Sequence, residues 1–124
     1  MKRLLVNMIR VTIFKDRLGH IKRYHISGHA GFDIKGKDIV CAAVSVLAQV
    51  TLISLVKVCE VPEEDLIYNI DDNEGIMDVV LPNNLEPGIR LKTETVLKTL
   101  ELGINSIIES YPKYVTLKYR EVER

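Results

Sequence analysis

Gly28-His29-Ala30-Gly31-Phe32-Asp33-Ile34-Lys35-Gly36-Lys37-Asp38-Ile39-Val40-Cys41 joins a glycine-rich loop to the start of a long apolar segment. Gly28, Gly31 and Gly36 let the loop backbone reach φ > 0 and rearrange. From Ile39 to Val58 the residues are almost wholly apolar and read as one helix. With Asp38 as N-cap, Cys41 falls in the first turn. A thiol there meets the positive end of the helix dipole, which favours thiolate. The dipole is worth about 0.3–1 kcal/mol, up to ~2 at best. At ~1.36 kcal/mol per pKa unit, that brings an ordinary thiol from ~8.5 only to about 7. A committed nucleophile needs a cationic partner too, and His29 is the nearest in sequence: the logic of a Cys/His dyad.

The helix also has the length of a membrane span. Ser45, Gln49, Thr51, Ser54 and Lys57 interrupt it, and basic flanks and aromatic anchors are missing. It therefore reads as a central helix, largely buried by a sheet or by a second subunit.

Upstream, Ile9, Val11 and Ile13 alternate with Arg10, Thr12 and Phe14 as a strand. After a polar turn ending Gly19-His20, Ile21 to Ser27 returns as a second strand, so a hairpin delivers the chain to Gly28 and His29. Downstream, Val61-Pro62 ends the first helix. Leu66–Ile70 and Ile76–Leu81 form a hairpin around Asp71-Asp72-Asn73-Glu74-Gly75. A second helix spans about Gly88 to Ser110, with Ile89, Val96, Leu97, Leu100, Ile104, Ile107 and Ile108 on its apolar face. Glu94 and Lys98 are spaced for an i,i+4 ion pair. Tyr111-Pro112 closes the helix, and Val115, Leu117 and Tyr119 alternate as a last strand. The order is ββαββαβ. Two helices cannot serve as crossovers for five parallel strands, so the expectation is a single α+β domain over residues 1–124 with a mainly antiparallel sheet.

The chain has 124 residues, 47% hydrophobic and 27% charged, with zero formal net charge. That suits one modest core and excludes disorder by composition and nucleic-acid binding by bulk charge. Two cysteines and no signal peptide point to a reducing, cytoplasmic setting. Eighteen residues apart on one helix, Cys41 and Cys59 would lie about 27 Å from each other, too far for a disulfide. Met1 to Asn7 reads as an extension or an alternative start.

Three chemistries compete for the loop. Gly31 to Lys37 matches seven positions of a phosphate-binding loop, but the eighth is Asp38 where Ser or Thr should hold magnesium, and the preceding strand belongs to a hairpin. His25, His29 and Cys41, with His20 nearby, offer zinc-type ligands but no fourth ligand at a motif spacing. The tip Asp71–Gly75 lacks the ligand spacing of an EF-hand and reads as a solvated turn. The third chemistry is nucleophilic: Cys41 attacks and His29 is general base. Cys59 reads as a small buried hydrophobe.

Gly28-His29-Ala30, the glycines after it, and Asp38-Ile39-Val40-Cys41-Ala42-Ala43-Val44-Ser45 resemble the signature of the Prp family of bacterial ribosomal-processing cysteine proteases. The likeness extends over most of Met8 to Glu121. It implies His29 as the base and Cys41 as the nucleophile of an endopeptidase needing no metal or cofactor. It implies a substrate too: the N-terminal extension of a large-subunit ribosomal protein, cut after an aromatic-rich motif. A homodimer is also implied, without a membrane or direct nucleic-acid partner. Asp38 is either a third, orienting member of the site or a helix cap. Ser45, one turn beyond Cys41, either lines the pocket or bonds a helix carbonyl. Gly28, Gly31 and Gly36 serve either loop opening or turn chemistry. The competing reading is a non-catalytic ribosome-assembly or phosphate-binding module, in which the thiol is structural and its reactivity indifferent to His29.

Overall fold

A computed structural model describes residues 8–28 and 37–123. The elements are β1 (Ile9–Lys15), β2 (Ile21–Ser27), α1 (Lys37–Lys57), a 3-10 turn (Glu63–Asp65), β3 (Ile67–Asp71), β4 (Ile76–Val80), α2 (Pro87–Ser110) and β5 (Val115–Glu121). The order ββαββαβ holds, with shifts of one or two residues at several ends. The strands form one sheet in the order β3-β4-β2-β1-β5. Three of its pairings are antiparallel. β5 returns over α2 to lie parallel to β1, Val11 level with Leu117.

The strict alternation of β1 decides which face is covered. Ile9, Val11 and Ile13 are all fully buried and face both helices, together with Tyr24, Ile26, Met77 and Val79 of the neighbouring strands. The intervening residues, Arg10, Thr12 and Phe14 among them, point to the opposite face. α2 contributes Thr93, Leu97, Leu100 and Ile104 to the core, the heart of the apolar stripe read from its periodicity. Glu94 does not use its spacing to Lys98. Its carboxylate accepts the N–H of Ile21 at 2.7 Å, which satisfies the first donor of β2 and ties α2 to the sheet.

α1 is central, but within the chain it is buried on one face only. Val40, Val44, Ala48, Thr51 and Leu55 pack inward, whereas Ile39 and Val46 are 62% and 61% exposed. Within one chain the sheet and α2 thus cover the inward face of this helix, one of the two covers its sequence calls for. A sheet beneath and one helix alongside cannot reach the outer side of a helix that is apolar all round. α2 does come very close: a Cβ on Gly103 would lie 2.5 Å from Cδ2 of Leu47. The length and composition of Asp38–Lys57 would also suit a membrane span, but its inward face packs as a core helix.

Candidate active site

Two anchors place Cys41. The first is the register of α1 on β2. The Tyr24 hydroxyl donates to the Ala48 carbonyl at 2.9 Å, and Ile26 shares a small cavity with Ser45 and Ala48. As β2 advances from Tyr24 to Ile26, the contacts on α1 step back toward its N-terminus, so the two elements run antiparallel. Cys41 lies one turn before Ser45 on the same flank of α1.

The second anchor is Gly28, the residue before His29. It sits at φ +90, and a Cβ there would run into the carbonyl oxygen of Met8 at the root of β1. Only glycine fits both the conformation and the approach. The chain therefore leaves the sheet here at a fixed point. His29, Gly31 and Gly36 lie outside the described residues.

Cys41 is half-buried and packs against the core edge. It is the fifth residue of α1, because the helix begins at Lys37 rather than after an Asp38 cap. Two consequences follow. Asp38 is an exposed first-turn residue that complements the dipole from inside the helix. The N–H of Cys41 already belongs to the i→i−4 ladder through the Lys37 carbonyl, and the N–H groups of Lys37, Asp38 and Ile39 are the ones without an intrahelical partner at this end. The dipole fades within the first turn, so Cys41 depends on a cationic neighbour more than the sequence reading allowed. Ser45 is half-buried one turn further along the same flank.

Cys59 behaves as expected of a core thiol. It is fully buried, and burial pushes its pKa up, with a smaller opposing pull from Lys92. Inert thiols look like this.

The structure disperses the other ligand candidates. His25 points to the open face of the sheet and meets Asp78 at 3.2 Å, beside the Arg23–Asp78 ion pair. Cys41 sits on the helix covering the other face, so His25 cannot join it. His20 stays in the β1–β2 turn, 3.4 Å from Asp16. Among the described residues, no three metal-ligating side chains cluster. The strand before the glycine loop is antiparallel to both of its neighbours, unlike the parallel strand that feeds a phosphate-binding loop. At the β3–β4 tip, the Asp71 carboxylate accepts the N–H groups of Asn73 and Glu74, so the acidic run is turn chemistry.

Comparison with known proteins converges on one family. The model of the family described as cysteine protease Prp matches residues 8–116. The ribosomal processing cysteine protease Prp of Bacillus subtilis (strain 168) is 23% identical over 104 residues, covering 84% of this chain and 90% of that protein. SMU.848 from Streptococcus mutans superposes with a TM-score of 0.81 at 28% identity, covering 98% of this chain and 100% of that one. The essential ribosomal processing protease Prp of S. aureus has been solved with a substrate peptide (TM-score 0.77, 23% identity). It has also been solved with a covalently linked product peptide (TM-score 0.73, 25% identity). Each of the two covers 91% of this chain and 100% of that one.

Proposed function

The chain belongs to the cysteine protease Prp family, and from that premise we propose that Cys41 and His29 cut the N-terminal extension from a large-subunit ribosomal protein after an aromatic-rich motif. One observation carries the assignment of the nucleophile. Of the two cysteines, Cys59 is sealed in the core, while Cys41 stands half-buried near the start of α1. The ribosomal substrate is carried by the names of the relatives in B. subtilis and S. aureus and by the motif resemblance.

In this reading the His29 imidazole takes the Sγ proton, and the thiolate adds to the scissile carbonyl carbon. The tetrahedral adduct collapses as the C–N bond breaks, and His29 returns the proton to the departing amine. Water, deprotonated by His29, then hydrolyses the thioester and frees Cys41. Gly28, Gly31 and Gly36 let the intervening loop admit and enclose the peptide. In this reading Asp38, exposed in the first turn of α1, is the third member that orients His29.

The outer ridge of α1 supports a cytoplasmic homodimer. Ile39, Ala43, Val46, Val50 and Ile53 recur at alternating steps of four and three, the spacing of a helix–helix seam. Ile39, Val46, Val50 and Ile53 are exposed in the single chain. A charge at the centre of the ridge, Val50→Glu, should turn a dimer into a monomer by light scattering. A wild type that is already monomeric at micromolar concentration would refute the dimer.

The decisive experiment is cleavage of the same organism's extended ribosomal protein, read by intact mass, with wild type, Cys41→Ala and His29→Ala side by side. The expected result is one cut after the aromatic motif with wild type and none with either variant. A folded, reduced wild type that leaves the protein whole would overturn the substrate assignment. Cutting that survives Cys41→Ala would overturn the nucleophile.

A further inference from the structure

The flank of α1 that carries Cys41 also borders an apolar hollow further along the helix, and we infer that this hollow reads the peptide at a distance: it holds a bulky apolar side chain about five residues from the scissile bond. The inference rests on the protease reading above.

Cys41, Ser45, Gln49, Leu52 and Val56 follow one another at helical spacing along the side of α1 that faces β3 and β4. Beside Ser45 and Gln49 lies a small separate crevice of about 40 Å³, lined also by Ile70, Asp72 and Ile76 and reaching the core residues Ile26, Ala48 and Met77. Further along the flank a hollow of about 310 Å³ lies between Leu52 and Val56 on the helix and Tyr68 and Ile70 on β3, with Lys57 and Glu63 also lining it. That is the lower end of the size range of ligand pockets, and its lining is mainly apolar.

Three features select a peptide side chain as the occupant. The first is reach. Eleven residues separate Cys41 from Leu52, about 16 Å at 1.5 Å per residue, which an extended peptide anchored at Cys41 spans with about five residues. The second is the wall. β3 is the edge strand of the sheet and lies beyond the cover of α1, so Tyr68 and Ile70, on its helix side, remain 42% and 44% exposed. The third is fixity. The Tyr68 hydroxyl donates to the Glu63 carboxylate at 2.9 Å, which holds the ring as a standing wall. Between Cys41 and the hollow, the exposed Gln49 amide can both donate to and accept from a peptide backbone. An apolar side chain is thus read only after a stretch in which the protein contacts main chain, and this separates choice of substrate from the chemistry at Cys41.

The test uses two synthetic peptides from the cleavage junction of the same organism's ribosomal precursor. One has eight residues on each side of the cut and the other three. Tyr68→Ala and Ile70→Ser, both on an exposed edge, are compared with wild type, and Tyr68→Phe keeps the ring. For the long peptide, KM should rise about tenfold or more in Tyr68→Ala and Ile70→Ser with kcat nearly constant. The short peptide should be cut equally well by all four proteins. Replacing the bulky apolar residue about five positions from the cut by Ala should cost wild type the same factor and cost the variants nothing further, as a shared contact requires. Losses that simply add, or variants that cut the long peptide like wild type, would overturn the hollow's role while leaving the protease intact. If wild type cuts neither peptide and Cys41 shows no enhanced alkylation, the protease reading falls and the hollow's role with it.

Discussion

The Tyr24 hydroxyl donates to the carbonyl of Ala48 at 2.9 Å. Tyr24 is fully buried on β2, and Ala48 sits on the inward face of α1. This bond crosses the core between the strand that leads into His29 and the helix that bears Cys41. The packing around it is apolar and tolerates sliding, so this bond is a polar fix on the position of α1 along β2. The same desolvation holds the phenol far above its ordinary pKa, so it stays a donor throughout the working range.

Tyr24→Phe should therefore affect both stability and catalysis. The Ala48 carbonyl keeps its intrahelical partner, so the stability loss should fall near the usual net value of one hydrogen bond, about 0.5–1.5 kcal/mol. Urea unfolding measures it. Peptide cleavage should slow more than the stability loss explains, through misplacement of Cys41 relative to His29. Unchanged kcat/KM in a destabilised variant would show that the bond serves the fold alone.

Gly28→Ala should be among the more damaging single changes outside the dyad. The position combines φ +90 with contact on the Met8 carbonyl, so the new methyl meets strain and backbone at once. A loss of about 1–3 kcal/mol is expected, with cleavage falling further because the root of the loop moves. Thermal denaturation and cleavage on one preparation test the two together. A fully stable, fully active Gly28→Ala would mean that the loop root is not fixed as described.

Much of this was legible in the residues, and the failures have physical causes. The alternation of Ile9, Val11 and Ile13 announced a half-covered strand, and all three are buried. The α1 start was misplaced because Asp38 suits a cap and a first-turn position equally well, and either use meets the same dipole. Which face of α1 the sheet covers was not legible, because a helix apolar on every side gives no moment to show it. Glu94 looked like an ion-pair partner because the i,i+4 rule sees only the helix, whereas its actual partner, the Ile21 N–H, lies 73 positions away. The hollow beside α1 left no periodic signal, since β3 contributes only Tyr68 and Ile70 to it. The pairing of Cys41 with His29 comes from the motif resemblance. His29 stands outside the described residues, and its part in catalysis rests on the cleavage assay.

The two thiols should separate cleanly in reactivity. Brief iodoacetamide treatment of the native, reduced protein at neutral pH should give one adduct, on Cys41, because burial both hides Cys59 and raises its pKa. In His29→Ala the rate at Cys41 should drop by an order of magnitude or more. Peptide mass mapping reads both sites. Equal labelling of the two cysteines in folded protein would remove the distinction on which the nucleophile was chosen.

Asp16 should account for a measurable part of the protein's loss of stability in acid. Its carboxylate is nearly buried, and burial by itself raises the pKa. The N–H groups of His20 and Leu18, each 2.9 Å from Oδ1, and the neighbouring His20 ring outweigh that penalty and hold the carboxyl below its ordinary 3.8. A carboxylate lowered by folding stabilises the native state above the unfolded-state pKa. That contribution disappears as pH falls from about 4 through the lower folded value. Asp16→Asn keeps an oxygen to accept the N–H groups but removes the charge. The melting temperature of wild type should exceed that of the variant at pH 6, and the gap should close as pH falls below about 4. A gap that persists unchanged at pH 3 would mean that the side chain acts by shape and hydrogen bonding, with no role for its ionisation.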